Sequence, residues 1–263
     1  MGTKARRLKE FLSRHPKCCY CGGDMDASTQ DHFPPRSVFP KRLWPEGYVF
    51  PACDACNSTT SEDENIVALF ARIYPEARSD EEQAEVFKIM QAVAELHPDL
   101  FKSLFPKPNR VRRWLRERNL TLDEGMTTKD VPIMSIDHPR ITAAIERFAT
   151  KLFCSLYYMH TKRILSLSGG IFFRWYSNAQ SPDQLPPEDI LAPLLRLFPE
   201  LKRQNTSLSA EFSYRYGIAV DTGTSGAFHV AFRQSLAMLG FVFGDISKVK
   251  IPENTTVLRP FKH

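Results

Sequence analysis

The chain has 263 residues, of which 43% are hydrophobic and 25% are charged. This composition is that of a globular protein, and it excludes a wholly disordered or collagen-like chain. Lys and Arg exceed Asp and Glu by 35 to 30, and the resulting net charge of +5 is compatible with a nucleic-acid partner.

The first quarter of the chain contains three segments with different sequence patterns. Residues 3–14 combine helix-forming residues with apolar side chains on one side, which predicts a short basic amphipathic helix. Residues 16–56 are rich in Cys, Pro, Gly and Asp and have no helical period, which predicts turns and short strands. Ser61 followed by Glu64 matches a capping box and predicts a helix over residues 61–75.

Helical patterns dominate the middle of the chain. Residues 80–97 begin with an acidic run that is typical of a helix start and predict a second helix. A very basic stretch follows at 109–119. Apolar residues then recur at spacings of three and four over 140–166, which predicts the strongest helix, ended by Gly169-Gly170.

Strand patterns appear in the last third of the chain. Residues 171–176 (IFFRWY) predict a strand, and a helix is predicted over 188–204 after a proline-rich loop. Two further strands, over 212–220 and 227–233, are predicted to form a hairpin.

These patterns predict an α+β protein divided near residue 75. Residues 1–75 would form a small module held together by metal. Residues 76–263 would form a mostly helical α+β domain that recognises substrate, dimerises or takes a regulatory signal. The aromatic strands of this second part suggest a possible homodimer.

Two CxxC pairs carry the strongest chemical signal, and they lie at residues 18–21 and 53–56. Paired thiolates on tight turns are the ligands of structural zinc. The four predicted zinc ligands are Cys18, Cys21, Cys53 and Cys56. A redox CxxC is the alternative, but that function needs only one pair and a βαβ context that is lacking here. Cys19 is expected to be a bystander, and Cys154 is expected to lie in the core.

The predicted compartment agrees with this use of cysteine. No stretch approaches the roughly 18 consecutive apolar residues that a membrane span requires. The charged N-terminal residues are not followed by an apolar run, so no secretory signal is expected. A cytoplasmic protein with no membrane contact is therefore predicted, and clustered thiols there indicate metal in preference to disulfides.

Further polar residues stand between and after the cysteine pairs. Asp31-His32 follows the first pair within DHFPP, and Asn57 follows Cys56 directly. The order CxxC, DHFPP, CxxCN over residues 16–70 closely resembles the HNH endonuclease family, the ββα-metal nucleases built on a treble-clef zinc scaffold. The resemblance implies a metal-dependent endonuclease that hydrolyses phosphodiester bonds of DNA, with RNA not excluded.

The resemblance also assigns roles to these residues. His32 matches the general base, since an imidazole can take a proton from water near neutral pH. Asp31 matches the carboxylate that holds the catalytic ion, and Asn57 stands at the last histidine position as a second ligand. Asparagine is a known variant there, and oxygen ligands favour Mg²⁺ or Mn²⁺ in the catalytic site.

One family position departs from the pattern. The middle asparagine of the motif should fall near residues 46–48, where this chain has Glu46-Gly47-Tyr48. Glu46 is a candidate for the orienting role of that asparagine. Glu62 and Glu64 follow on the expected helix and would either favour its N-terminus or approach the metal, with Glu64 the better candidate.

Basic residues near the module and in the 107–118 stretch suggest contacts to a nucleic-acid backbone. The candidates are Arg6, Arg7, Lys17, Arg112, Arg113 and Arg116. The alternative for the second group is a solvated helix face with Trp114 and Leu115 in the core.

Two other functions compete with the nuclease. A catalytically inactive zinc treble clef that binds nucleic acid is favoured by the missing middle asparagine. A protein-interaction adaptor built on the same scaffold is the third possibility.

Overall fold

The computed structural model describes residues 3–73, 79–131, 133–177, 192–219, 224–253 and 255–263. It is a mixture of helix and sheet, which confirms the α+β class. The helices are α1 (Thr3–Arg14), α2 (Asp54–Ser58), α3 (Glu64–Arg72), α4 (Asp80–Leu96), α5 (Pro98–Ser103), α6 (Pro108–Glu117) and α7 (Pro139–Thr161). The strands are β1 (Thr29–His32), β2 (Val49–Ala52), β3 (Gly170–Ser177), β4 (Lys202–Arg203), β5 (Thr206–Ser207), β6 (Ser213–Ile218), β7 (Ser225–Phe232), β8 (Leu236–Phe243) and β9 (Thr256–Leu258).

The N-terminal part is built around the antiparallel pair β1 and β2. Asp31 pairs with Phe50 and His32 with Val49 in this two-stranded ladder. The prolines at 34 and 35 follow directly, and the strand ends before them as proline requires. Helix α2 then starts from the end of β2, so the order strand, strand, helix that the sequence suggested is present.

The C-terminal part contains a five-stranded antiparallel sheet in the order β6-β7-β8-β3-β9. The predicted hairpin is confirmed, because β6 and β7 pair along their length, from Ser213 with Ala231 to Ile218 with Gly226. Strands β7, β8 and β3 each have neighbours on both sides, so β6 and β9 form the edges of this sheet among the described residues. The possible homodimer stays a prediction.

Helix α7 lies between the two parts and is buried on more than one face. Phe148 packs against Phe33 of the N-terminal part, with ring centroids 4.9 Å apart. Phe153 contacts Phe228 of the sheet, and a Cβ at Gly240 would come within 2.6 Å of its ring. Only glycine allows β8 to pass this close beneath the helix.

The hydrophobic core is continuous across the predicted boundary at residue 75. One cluster of buried side chains runs from Cys18 and Phe33 through α7 to Val242 and Leu258. The division into two domains stays a prediction, and the two parts share this core.

Three local predictions were wrong. Ser61 does not cap α3, because it lies in a turn where its hydroxyl donates to the Ser58 carbonyl at 2.7 Å, and the helix begins after Asp63. Helix α7 ends at Thr161, where Lys162 takes a left-handed conformation (φ 58°), before Gly169-Gly170. The third concerns the helix predicted over 188–204.

Within the described residues 192–204 that helix is absent. These residues form turns, an isolated bridge and β4, and residues 188–191 lie outside the described residues. The backbone of Leu197 exchanges both hydrogen bonds with Tyr216 of β6, at 3.1 and 3.0 Å. Pairing with the sheet edge therefore replaces the helical hydrogen bonds.

Candidate functional site

Four thiols meet at the base of the β1–β2 pair. Cys18 and Cys21 lie in the turn before β1, and Cys53 and Cys56 lie at the start of α2. All four side chains are buried, and their sulfur atoms lie within 4.8 Å of one another. The structure therefore brings together the two CxxC pairs that the sequence singled out.

The local backbone prepares these thiols to bind a cation. The amide of Tyr20 donates to Cys18 Sγ, and the amide of Cys56 donates to Cys53 Sγ, each at 3.4 Å. Hydrogen bonds with the Cys56 thiol and with the backbone of Cys53, Tyr20 and Cys21 lower the pKa of Cys18 to about 5. Gly22 and Gly23 have φ of +69° and +79°, a conformation in which glycine lets the chain turn away from the cluster.

This arrangement fits structural zinc. Four cysteine sulfurs are the donor set of closed zinc sites, and such sites hold their domain together without taking part in reactions. The cluster involves both pairs at once, which favours metal over a redox pair. Cys19 and Cys154 are buried outside the cluster, and burial raises the pKa of both thiols, as expected for core cysteines.

A histidine that the sequence did not indicate lies beside this cluster. His263 Nε2 is 3.0 Å from Cys56 Sγ, and the Phe261 amide donates to the Tyr20 carbonyl at 2.9 Å. No spacing rule relates residue 263 to residue 56, so sequence could not have revealed the contact.

Asp31 faces helix α7 and is 9% exposed. Its Oδ2 lies 2.7 Å from Nζ of Lys151, a helix residue that is 1% exposed. The same ammonium donates to Thr60 Oγ1 at 3.3 Å and to the main-chain carbonyl of Asn57 at 3.4 Å. A buried lysine therefore joins the two residues that were predicted to hold the catalytic ion.

The described residues give no support for a divalent ion between Asp31 and Asn57. The ammonium of Lys151 already neutralises the Asp31 carboxylate there. In the part of the chain that the structure describes, the four-cysteine cluster is the only group of three or more His, Cys, Asp or Glu with metal-binding geometry. A catalytic Mg²⁺ or Mn²⁺ at this position stays a prediction.

His32 has different neighbours from Asp31, because adjacent residues of a strand face opposite sides. Its half-buried imidazole contacts the Trp44 ring edge-on, with centroids 5.4 Å apart. Burial, followed by the charges of Arg36 and Arg203, lowers the pKa of His32 from 6.5. The ring is thus neutral at physiological pH and available as a proton acceptor.

Trp44 also contacts two arginines. The guanidinium carbon of Arg36 lies 3.6 Å from the centre of the Trp44 ring, and that of Arg203 lies 3.8 Å from it. Sequence reasoning missed all three residues, because Arg203 comes from β4 and only the fold places it near residue 44.

The position of the missing asparagine is occupied by buried aromatic packing. The Tyr48 hydroxyl donates to the Tyr214 hydroxyl at 2.9 Å, and the Tyr48 carbonyl accepts from the Phe33 amide at 3.3 Å. Glu46 instead accepts from the Gln204 amide at 3.0 Å. Its contact is with the loop that follows Arg203.

The acidic residues after Asn57 mostly form ion pairs with α7. Glu62 pairs with Arg140 at 3.2 Å. The Arg147 guanidinium donates one hydrogen bond to each carboxylate oxygen of the buried Asp63, at 2.6 and 2.8 Å. Glu64 is half-buried at the start of α3, and burial together with the Asp31 charge raises its pKa. Glu64 is therefore the one that lies near Asp31.

The predicted nucleic-acid contacts lie on exposed surfaces. Arg6 pairs with Glu10 at 3.0 Å and Lys17 with Asp26 at 2.8 Å, and both pairs are solvent-exposed. On α6, Val111 and Leu115 are buried and Trp114 is half-buried. The remaining predicted residues, all exposed, are Arg7, Arg112, Arg113 and Arg116.

No family model, no curated protein and no solved structure matches this chain. The resemblance to HNH endonucleases therefore rests on the residues between 16 and 70 alone. Among the described residues, no helix has both the length and the apolar character needed to cross a membrane.

Proposed function

We propose that this protein is an HNH-type endonuclease that hydrolyses phosphodiester bonds of DNA, with His32 as the general base. The observation that carries the proposal is the set of groups that surround the His32 side chain. A neutral imidazole lies beside two guanidinium groups, on the strand pair that leads into a four-cysteine cluster that fits zinc. Hydrolysis of a phosphodiester needs both a proton acceptor and positive charge at the phosphate.

In the proposed reaction, His32 takes one proton from a water molecule. The resulting hydroxide forms a new P–O bond at the scissile phosphate. The P–O3′ bond breaks, and the 3′ oxygen takes up a proton from solvent. The products are a 5′-phosphate and a 3′-hydroxyl, and no oxidant or reductant is needed.

The charge that stabilises the transition state has two candidate sources. The family pattern assigns it to a Mg²⁺ or Mn²⁺ ion on Asp31 and Asn57, which remains part of the proposal. The ion pair of Asp31 with Lys151 argues against that ion, whereas the exposed Arg36 guanidinium supports a contribution from protein cations.

The test is cleavage of supercoiled plasmid, with a parallel reaction on single-stranded RNA. Wild-type protein is compared with His32→Ala at equal zinc content, in Mg²⁺, in Mn²⁺ and in a weak chelator of divalent ions that leaves the zinc in place. We expect nicking by the wild type and a loss of at least about 10²-fold in the variant, the range of general-base catalysis. Equal cutting by both proteins would refute His32 as the base.

A zinc-dependent nucleic-acid binding module without catalysis is the second candidate. Two observations favour it: Tyr48 stands near the place of the family's middle asparagine, and Lys151 neutralises Asp31. Absence of cleavage under all conditions, combined with salt-dependent binding of the same DNA, would establish this function instead.

A further inference from the structure

We propose that Arg36, Trp44 and Arg203 form a clamp that binds a backbone phosphate of the nucleic acid beside His32. This inference deepens the proposed function and rests on it for the identity of the ligand. It names a binding site that the HNH-like pattern does not contain.

The clamp is defined by the stacking of two cations on one ring. The two guanidinium carbons lie 3.6 and 3.8 Å from the centre of the Trp44 ring. Two groups this close to the same ring must lie on its opposite faces, because on one face they would overlap. Trp44 thus holds both guanidinium groups, because the face of an aromatic ring attracts a cation placed over it.

The charges of this clamp are not neutralised by the protein. Within the described residues, no carboxylate forms an ion pair with Arg36 or Arg203. Two other arginines of the chain are paired: the buried Arg72 pairs with Glu85 at 2.7 Å, and the half-buried Arg147 pairs with Asp63 at 2.6 Å. Two positive charges on one ring repel each other, and a bound anion relieves that repulsion.

The position of Arg203 is fixed by a contact between the two parts of the chain. The Glu46 carboxylate accepts from the Gln204 amide, and the Glu46 amide donates to the Lys202 carbonyl, both at 3.0 Å. The β4–β5 hairpin is thereby tied to the loop that follows Trp44. The second arginine of the clamp is held by backbone contacts in addition to its own stacking.

The chemistry of the clamp favours a phosphodiester. Guanidinium forks donate pairs of hydrogen bonds to the oxygens of a phosphate, and arginine is preferred wherever this planar recognition is needed. His32 contacts the same tryptophan, so a phosphate bound by the guanidinium groups at the edge of this ring would lie next to the proposed base.

The test is a binding measurement that does not depend on cleavage. Fluorescence anisotropy of a labelled 20-nucleotide duplex is recorded in the His32→Ala background over a range of salt concentrations. The variants are Arg36→Gln and Arg203→Gln. Arg174→Gln, at an exposed position on β3, is the matched control.

We expect each clamp variant to bind at least about tenfold more weakly, as for loss of a charged hydrogen bond. The slope of log K against log salt should become shallower by about 1 for each arginine removed. Arg36→Lys and Arg203→Lys should keep the slope while losing part of the affinity, because they retain the charge and lose the fork. Zinc content and thermal unfolding show that each variant is folded.

Three outcomes would overturn the clamp: binding by both glutamine variants as tight as that of the control, an unchanged salt slope, or an equal loss in Arg174→Gln. Failure of the proposed function gives a different result. If the wild type never cleaves but the clamp variants bind more weakly, the clamp stands and the protein is a binding module.

Discussion

The ion pair between Asp31 and Lys151 makes a strong and measurable prediction about stability. Lys151→Met keeps most of the aliphatic stem in helix α7 and removes only the ammonium. The Asp31 carboxylate, 9% exposed, would then lie in the core without its cation. Two unit charges 2.7 Å apart attract by roughly 6 kcal/mol at an effective dielectric constant of about 20.

Lys151→Met should lower the free energy of unfolding by less than this attraction. The reason is that the substitution also removes the desolvation cost of burying the ammonium. Removal of one partner from a buried pair costs about 3–5 kcal/mol. For a chain of this size that corresponds to a fall in Tm on the order of 10 °C. Asp31→Asn should also destabilise, and the double variant Asp31→Asn/Lys151→Met should lose clearly less than the sum of the two.

The assay is urea unfolding of the four proteins at one fixed concentration of free zinc, because bound metal adds to apparent stability. Lys248→Met is the control, since it removes an exposed pair with Asp245 at 3.3 Å and should cost less than about 1 kcal/mol. A coupling energy below about 0.5 kcal/mol, or an effect of Lys151→Met as small as that of the control, would refute the buried pair.

Three further predictions concern the zinc cluster, the proposed base and the core. Cys18→Ser should lower bound zinc from about one equivalent to near none and unfold the N-terminal part, whereas Cys19→Ala should keep its zinc, as measured by elemental analysis. In the pH profile of kcat/KM, the fall in activity on the acid side should have its midpoint below pH 6.5, because the lowered pKa of His32 leaves the base unprotonated to lower pH. Arg203→Gln removes one of the charges that lower this pKa and should move the midpoint to higher pH. A midpoint above pH 6.5 in the wild type would contradict the assignment. Tyr214→Phe should cost about 1–3 kcal/mol in urea unfolding, because Tyr48 and His160 both lose their partner hydroxyl, and an unchanged midpoint would argue against this buried network.

The features that sequence predicted best are local ones. The CxxC spacing fixes each thiol pair on its own turn, and the two pairs then lie together because β1 and β2 are neighbours. Helices α1 and α4 and the β6–β7 hairpin follow from periodicity within single segments. In each case the residues that decide the structure lie close together in the chain.

The features that sequence did not predict are long-range contacts. The HNH-like pattern assigns Asp31 to a metal, but in the fold the ammonium of Lys151 balances its charge. The amphipathic pattern predicts that Lys151 lies in a core helix and does not indicate which residue it contacts. Arg203 was included in a predicted helix, but pairing of this region with the sheet edge carries it to Trp44. Ser61 and Glu64 have the spacing of a capping box, yet the turn after α2 extends through Ser61.

The packing of α7 against the N-terminal part also sets an order of events during synthesis. Lys151 follows Asn57 by 94 residues along the chain. At about 5–20 residues per second, a ribosome needs roughly 5–20 s to add that length. All four cysteines therefore leave the ribosome well before α7 exists, so their thiols can bind zinc before this helix packs against them in the finished fold.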